Sequence, residues 1–173
     1  MKIAVTGAHR TGKTTLIEML SELLPEYIIK AEAYYELEET GHIFSEMPVP
    51  EDYLLQLDYS IDKITTPDDN VIFDRCPIDM LAYIQASNEF GNINIQSMYQ
   101  KVQRSMTEID LLIFVPIEEP DIIRCAESEL PELRKQVNEI LNDWVRDFNI
   151  DVIEVSGSLL ARRNQVIDYI SKK

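Results

Sequence analysis

The chain has 173 residues, 27% charged and 45% hydrophobic, the make-up of one globular domain able to bury a sizeable core. Its formal net charge of −15 argues against a protein that coats nucleic acid, whose affinity rests on a cationic surface. Its longest apolar runs are too short to cross a bilayer, so a cytoplasmic protein with no membrane contact is expected.

Lys2-Ile3-Ala4-Val5-Thr6 is a β-branched apolar run and reads as a buried strand. Gly7-Ala8-His9-Arg10-Thr11-Gly12-Lys13-Thr14 follows, with the form G-x-x-x-x-G-K-[ST] of a phosphate-binding loop. Residues 15–24 then carry apolar positions at 16, 17, 20, 23 and 24, one face of a helix. Beyond Pro25, residues 26–30 read as a second strand and 31–40 as a short helix stopped by Gly41. Residues 42–50 are a loop punctuated by Pro48 and Pro50, and 51–66 an amphipathic helix ended by the turn Pro67-Asp68-Asp69-Asn70. Val71-Ile72-Phe73-Asp74-Arg75 is a third strand that ends in charge. Cys76-Pro77-Ile78-Asp79 opens a helix that runs to about Phe90, where Gly91-Asn92 breaks it. Residues 95–107 give another helix, and 110–115 the most apolar strand. A polar segment bracketed by Pro120 and Pro131 precedes a helix over 132–148, which carries the only tryptophan, Trp144. Residues 150–155 form a fifth strand and 159–171 a last helix.

Strands alternating with helices, without hairpin signals, predict an α/β fold: three layers, a five-stranded parallel sheet, one domain over 1–173. Ligands of open α/β sheets bind at the carboxyl ends of the strands, so each strand end is a candidate. After strand one, Gly7 and Gly12 let the backbone turn tightly and approach an anion. The N–H groups of Ala8, His9, Arg10, Thr11, Gly12, Lys13 and Thr14 can then face phosphate oxygens beside the positive end of the helix, with Thr15 next in line. Lys13 reaches the β- and γ-phosphates, and the Thr14 hydroxyl ligates Mg²⁺. After strand three, Asp74 has the place of an acid that holds Mg²⁺, and Arg75 that of a phosphate clamp. Glu32, Tyr34 and Tyr35, after strand two, face the acceptor or else belong to a solvated helix packed on the core. Arg124 and Arg134 follow strand four and suit a lid over about 117–134 that closes on the transferring phosphoryl group. Arg134 can equally make i, i+4 surface pairs. Ser156 and Gly157, after strand five, can approach an adenine edge, while Ser158 caps the last helix. Cys76 and Cys125 read as two reduced thiols, and His9 and His42 make no credible zinc cluster.

The run from Gly7 to Leu16, together with Asp74-Arg75-Cys76-Pro77-Ile78-Asp79-Met80-Leu81-Ala82-Tyr83, resembles a known group. It is the small P-loop ATPases, an AAA-type domain of the P-loop NTPase superfamily, related to nicotinamide riboside kinase and the nucleoside and nucleotide kinases. Members carry T-G-x-x-x-x-G-K-T-T-L and D-R-x-x-x-D-x-x-x-Y. The resemblance implies a nucleoside-monophosphate-kinase-like core with strand order 2-3-1-4-5, ATP·Mg²⁺ as donor, and a small acceptor bearing a hydroxyl or phosphate. Carried over by position, Lys13 and Thr14 hold phosphate and magnesium. Asp74 is the metal-linked acid or the acceptor's general base, and Arg75 clamps a phosphate. The chain departs from the group in two places. Tyr35 stands where an E-x-x-R pattern starting at Glu32 has its arginine, and the lid segment is thin in basic residues. The expected function is therefore an ATP-dependent kinase that acts on a nucleoside, nucleotide or similar metabolite. The alternative is a nucleotide-binding switch or slow ATPase that works through a protein partner; the N-K-x-D element of GTPases is absent. The sequence leaves open the acceptor and the oligomeric state, a homodimer included.

Overall fold

A computed structural model describes residues 1–87, 93–121, 123 and 125–173. The three most apolar strand runs form the middle of the sheet. β1 (Lys2–Thr6), β3 (Val71–Asp74) and β4 (Leu111–Phe114) are buried along almost their whole length, as strands covered on both faces must be. β2 (Ile28–Lys30) and β5 (Asp151–Glu154) are the edges and are more exposed. The order is β2-β3-β1-β4-β5 and every pairing is parallel, with Ala4 in register with Phe73 on one side and Leu112 on the other. Thus the predicted fold class and strand order both hold.

Alternation along β1 splits the core in two. Ile3 and Val5 pack with Leu16, Ile17 and Leu20 of α1 (Lys13–Leu23) and Val166 of α7 (Leu159–Ile170). Ala4, Phe73 and Phe114 face the other layer. That layer holds α3 (Pro50–Ile64), α4 (Pro77–Ser87), α5 (Ile95–Ser105) and α6 (Pro131–Trp144). Every residue of α4 from Pro77 to Ile84 is buried, so this helix lies inside the domain rather than on it. α2 (Ala33–Glu39) follows β2 at the edge.

Several boundaries shift from expectation: β2 starts at Ile28 rather than 26, and α6 ends at Trp144 rather than 148. α1 starts at Lys13, two residues before the apolar periodicity, because the loop's polar residues occupy its first turn. α4 is described to Ser87, and the predicted break at Gly91-Asn92 lies outside the described residues. Among the described residues, no helix is long and apolar enough to cross a membrane.

Candidate active site

The loop between β1 and α1 sits at the carboxyl end of the central strand. A side chain cannot be added at Gly7: φ is +150° and a Cβ would lie 2.4 Å from the Val115 carbonyl oxygen. Gly12 turns the chain into α1 at φ +89°. Arg10 and Arg75 hold left-handed φ of 58° and 66° without being glycine, and such backbone gathers at functional sites.

The carbonyls of this loop are held one after another by cations. Arg75 Nη1 donates to Gly7 O at 2.9 Å, and Lys13 Nζ to Ala8 O at 2.7 Å. Arg134 donates from Nε to His9 O at 2.9 Å and from Nη2 to Arg10 O at 3.0 Å. Arg162 Nη1 donates to Thr11 O at 2.7 Å. Five successive carbonyls are thereby committed. By contrast, the backbone N–H groups of Arg10 to Thr14 make no hydrogen bond among the described residues. Unpaired N–H groups at the start of a helix form an anion site. Lys13 is 4% exposed, and burial, with Arg75 nearby, pulls its pKa down to about 8.

His9 closes the loop on its outer side. Its backbone N–H donates to Tyr83 Oη at 2.9 Å, its Nδ1 lies 2.8 Å from the same oxygen, and its Nε2 lies 2.6 Å from Glu129 O. A carbonyl can only accept, so Nε2 carries the proton and Nδ1 accepts from the tyrosine. Burial lowers the His9 pKa to about 4, outweighing the Glu129 carbonyl that would raise it; Arg75, Lys13 and Arg134 lower it further. Glu129 also accepts from Arg10 Nε at 2.6 Å, so the turn Glu127–Glu129 is fastened to the loop at two points.

The end of β3 supplies the acid. Thr14 Oγ1 donates to Asp74 Oδ2 at 2.7 Å. Asp74 is 7% exposed, and its other oxygen, Oδ1, is buried with no partner among the described residues. Burial raises its pKa, against the pull of Thr14 and Lys13. An orphaned carboxylate oxygen beside a hydroxyl is a donor set that a hard divalent cation fits, so Thr14 and Asp74 are the residues that could hold one.

Arg75 is turned inward. Its Nε lies 2.7 Å from Glu32 Oε1, too far off line for a hydrogen bond but close enough for an ion pair, and its Nη1 lies 3.6 Å from Asp79 Oδ1. The guanidinium also covers the Tyr83 ring at 5.3 Å. Burial opposes its charge, but Glu32, Tyr83, Asp79 and Asp74 together hold its pKa well above the usual value. Asp79, fully buried, accepts from Gly7 N and from Cys76 N at 3.0 Å each, tying the phosphate loop to the start of α4.

One cleft of about 970 Å³ runs across the loop. Its β5 side is lined by Gly157, Ser158, Leu159 and Arg162, and its β2 side by Glu32, Tyr34, Tyr35 and Tyr53. His9, Arg10, Gly12, Lys13, Thr14 and Thr15 form the floor between them, with Arg75 at the β3 end. Other expected site residues lie elsewhere. Asp74 does not line the cleft itself; it sits behind Thr14 and borders a small cavity with Ala33, Ser60 and Lys63. Arg134 does not line the cleft: its side chain is 5% exposed and held by the loop carbonyls and by Asp121, not by the i, i+4 surface pair expected as the alternative. The cause is its place on the buried stripe of α6 with Val137 and Leu141. Ser156 does not line the cleft either; its backbone N–H donates to Gln165 Oε1 and its carbonyl accepts from Gln165 Nε2. Arg124 lies outside the described residues. Sequence reasoning missed the roles of Asp79, Tyr83, Glu129 and Arg162; Arg162 is 3% exposed and joins Thr11 O to Gly157 O and Glu118.

A family model described as AAA domain matches residues 2–163. No curated protein matches the sequence. Solved structures similar in fold include deoxyadenosine kinase from M. mycoides with products bound, at 18% identity and TM-score 0.65, covering 99% of both chains. Thymidylate kinase from Candida albicans is similar at 18% identity and TM-score 0.68, covering 99% of this chain and 91% of that one. The NadR protein in complex with NR is similar at 21% identity and TM-score 0.71, covering 99% of this chain but 50% of that one. Such identities carry a likeness of fold alone. The phosphate loop and its sheet agree with the family match over nearly the whole length, and the chain belongs to the AAA-domain family of P-loop proteins.

Proposed function

We propose that this protein is a kinase that moves the γ-phosphoryl group of ATP·Mg²⁺ to an oxygen of a small metabolite. The observation that carries the reading is a two-sided cleft: a loop of unpaired N–H groups forms its floor, with the Thr14–Asp74 pair at one end of the loop. The fold neighbours named as deoxyadenosine and thymidylate kinases support it. In this reading the triphosphate lies along Arg10 to Thr14, with the base toward Gly157 and Leu159. Lys13 leaves the Ala8 carbonyl for the phosphate oxygens and regains full charge there. Thr14 and Asp74 would hold Mg²⁺, which when bound would supply charge neutralisation at the phosphates. The acceptor oxygen, on the β2 side, forms a bond to the γ-phosphorus as the bond to the bridging oxygen breaks, and ADP leaves. Asp74 or solvent takes the acceptor's proton.

The test is ADP release from ATP·Mg²⁺ across a panel of nucleosides, monophosphates and related alcohols, with Lys13→Ala as control. Stimulation by an acceptor, abolished in the variant, is expected. Wild-type ATP binding by Lys13→Ala would remove the site assignment. One observation favours the rival slow ATPase or switch: Arg134, expected in the lid, is committed to the loop backbone. If no acceptor raises ADP release above background, that rival stands.

A further inference from the structure

The β2 half of the cleft differs in charge from the phosphate floor. Among the described lining residues on that side, Glu32, Glu46 and Asp52 are anionic and Arg75 alone is cationic. Arg75 is already neutralised: Glu32 lies 2.7 Å from its Nε and Asp79 3.6 Å from its Nη1. Asp52 Oδ2 accepts a long bond of 3.3 Å from Val49 N. A phosphate monoester arriving here would bring up to two more negative charges into a half-cleft with no uncommitted cation among the described residues.

The walls are aromatic and apolar. Tyr34 stacks on Phe44 with ring centroids 4.5 Å apart and planes at 19°. Tyr53 stacks on Tyr83 at 5.0 Å and 20°. At the mouth, Tyr35 is 57% and Met47 64% exposed, apolar surface that a planar ring would cover.

Resting on the phosphotransfer reading, we infer that the acceptor is a ring-bearing alcohol with no phosphate of its own, neutral or cationic: a nucleoside-like molecule rather than a nucleotide. The carboxylates exclude the phosphorylated form, and the aromatic walls hold the ring. The acceptor hydroxyl faces the floor between Thr14 and Arg75, with Asp74 behind Thr14. The product carries the new phosphate into the same acidic half-cleft, which favours its release.

The test is calorimetric binding, with AMP-PNP·Mg²⁺ filling the donor side. Adenosine, cytidine and thymidine are each compared with their 5′-monophosphates. At least one nucleoside is expected to bind roughly 10- to 100-fold more tightly than its monophosphate. Neutralising Glu46 and Asp52 together (Glu46→Gln, Asp52→Asn), with folding checked by melting, is expected to narrow that gap. Equal or tighter monophosphate binding, no measurable binding by either member of any pair, or a gap unmoved by the double variant overturns the inference. ADP release is read separately. Preferred nucleoside binding without stimulated release would sink the kinase reading and leave the charge rule standing.

Discussion

Replacing Arg134 with glutamine removes a buried cation that does not line the cleft, and we expect it to damage both the fold and the site. Arg134 is 4% exposed and gives two charge-assisted bonds to His9 O and Arg10 O, besides its pairing with Asp121. Bonds of this kind contribute about 1.5–3 kcal/mol each. Water at the cleft floor can satisfy part of what is lost, so the expected destabilisation is about 2–4 kcal/mol, or roughly 5–15 °C in melting temperature. The freed carbonyls also let the loop sample conformations in which its N–H groups no longer converge. ATP·Mg²⁺ should then bind on the order of tenfold more weakly. Arg134→Lys, with one ammonium for two carbonyls, should fall between. Asp121→Asn keeps the loop bonds and should cost less than Arg134→Gln. Melting curves and calorimetric ATP titrations of the three variants decide it. An Arg134→Gln protein with wild-type melting and wild-type ATP affinity would refute the idea that outward carbonyls must be held.

Other expectations follow from the same geometry. Asp74→Asn keeps the Thr14 contact but loses the charge at the orphaned oxygen, so turnover should fall by about 10²-fold or more with folding retained; unchanged turnover would make Asp74 structural. His9 binds its proton with a pKa of about 4 folded against 6.5 unfolded, so the unfolded chain takes up the proton first. Stability should therefore decline as pH falls from about 6.5 towards 4, and His9→Gln should flatten the change in denaturant midpoint between pH 7 and pH 5. Lys13, at about 8, is largely neutral in the free protein above that pH, and phosphate restores its charge. ATP binding at alkaline pH should then take up a fraction of a proton, seen as a buffer-dependent binding enthalpy that is lost in Lys13→Arg.

The architecture was legible because the central strands are short, continuous apolar runs and the helices between them have clear stripes or clear stops. The phosphate loop was legible because its chemistry is local: glycine freedom, a lysine and a hydroxyl at fixed spacing. The cations around it were not, because whether a charged residue is buried depends on a partner far along the chain. A faint signal was present all the same. Arg134 lies on the stripe of Val137 and Leu141, and Arg162 on that of Val166. Asp79 sits within a run of α4 that is buried throughout. A charge on an apolar face needs a partner inside, and in each of these three cases part of that partner is the phosphate loop. Arg75, placed correctly at a strand end, differs only in direction, because Glu32 and Asp79 draw its guanidinium inward.

The arginines that hold the loop carbonyls come from 68, 125 and 151 residues away. The motif is thus complete within the first fourteen residues, yet its shape is completed by the last helix. During synthesis the chain carries the letters of a phosphate site from the start, and acquires its clamp on Thr11 only when α7 docks. A fragment ending before Arg162 would match every motif while lacking the last support of the loop that the motif describes.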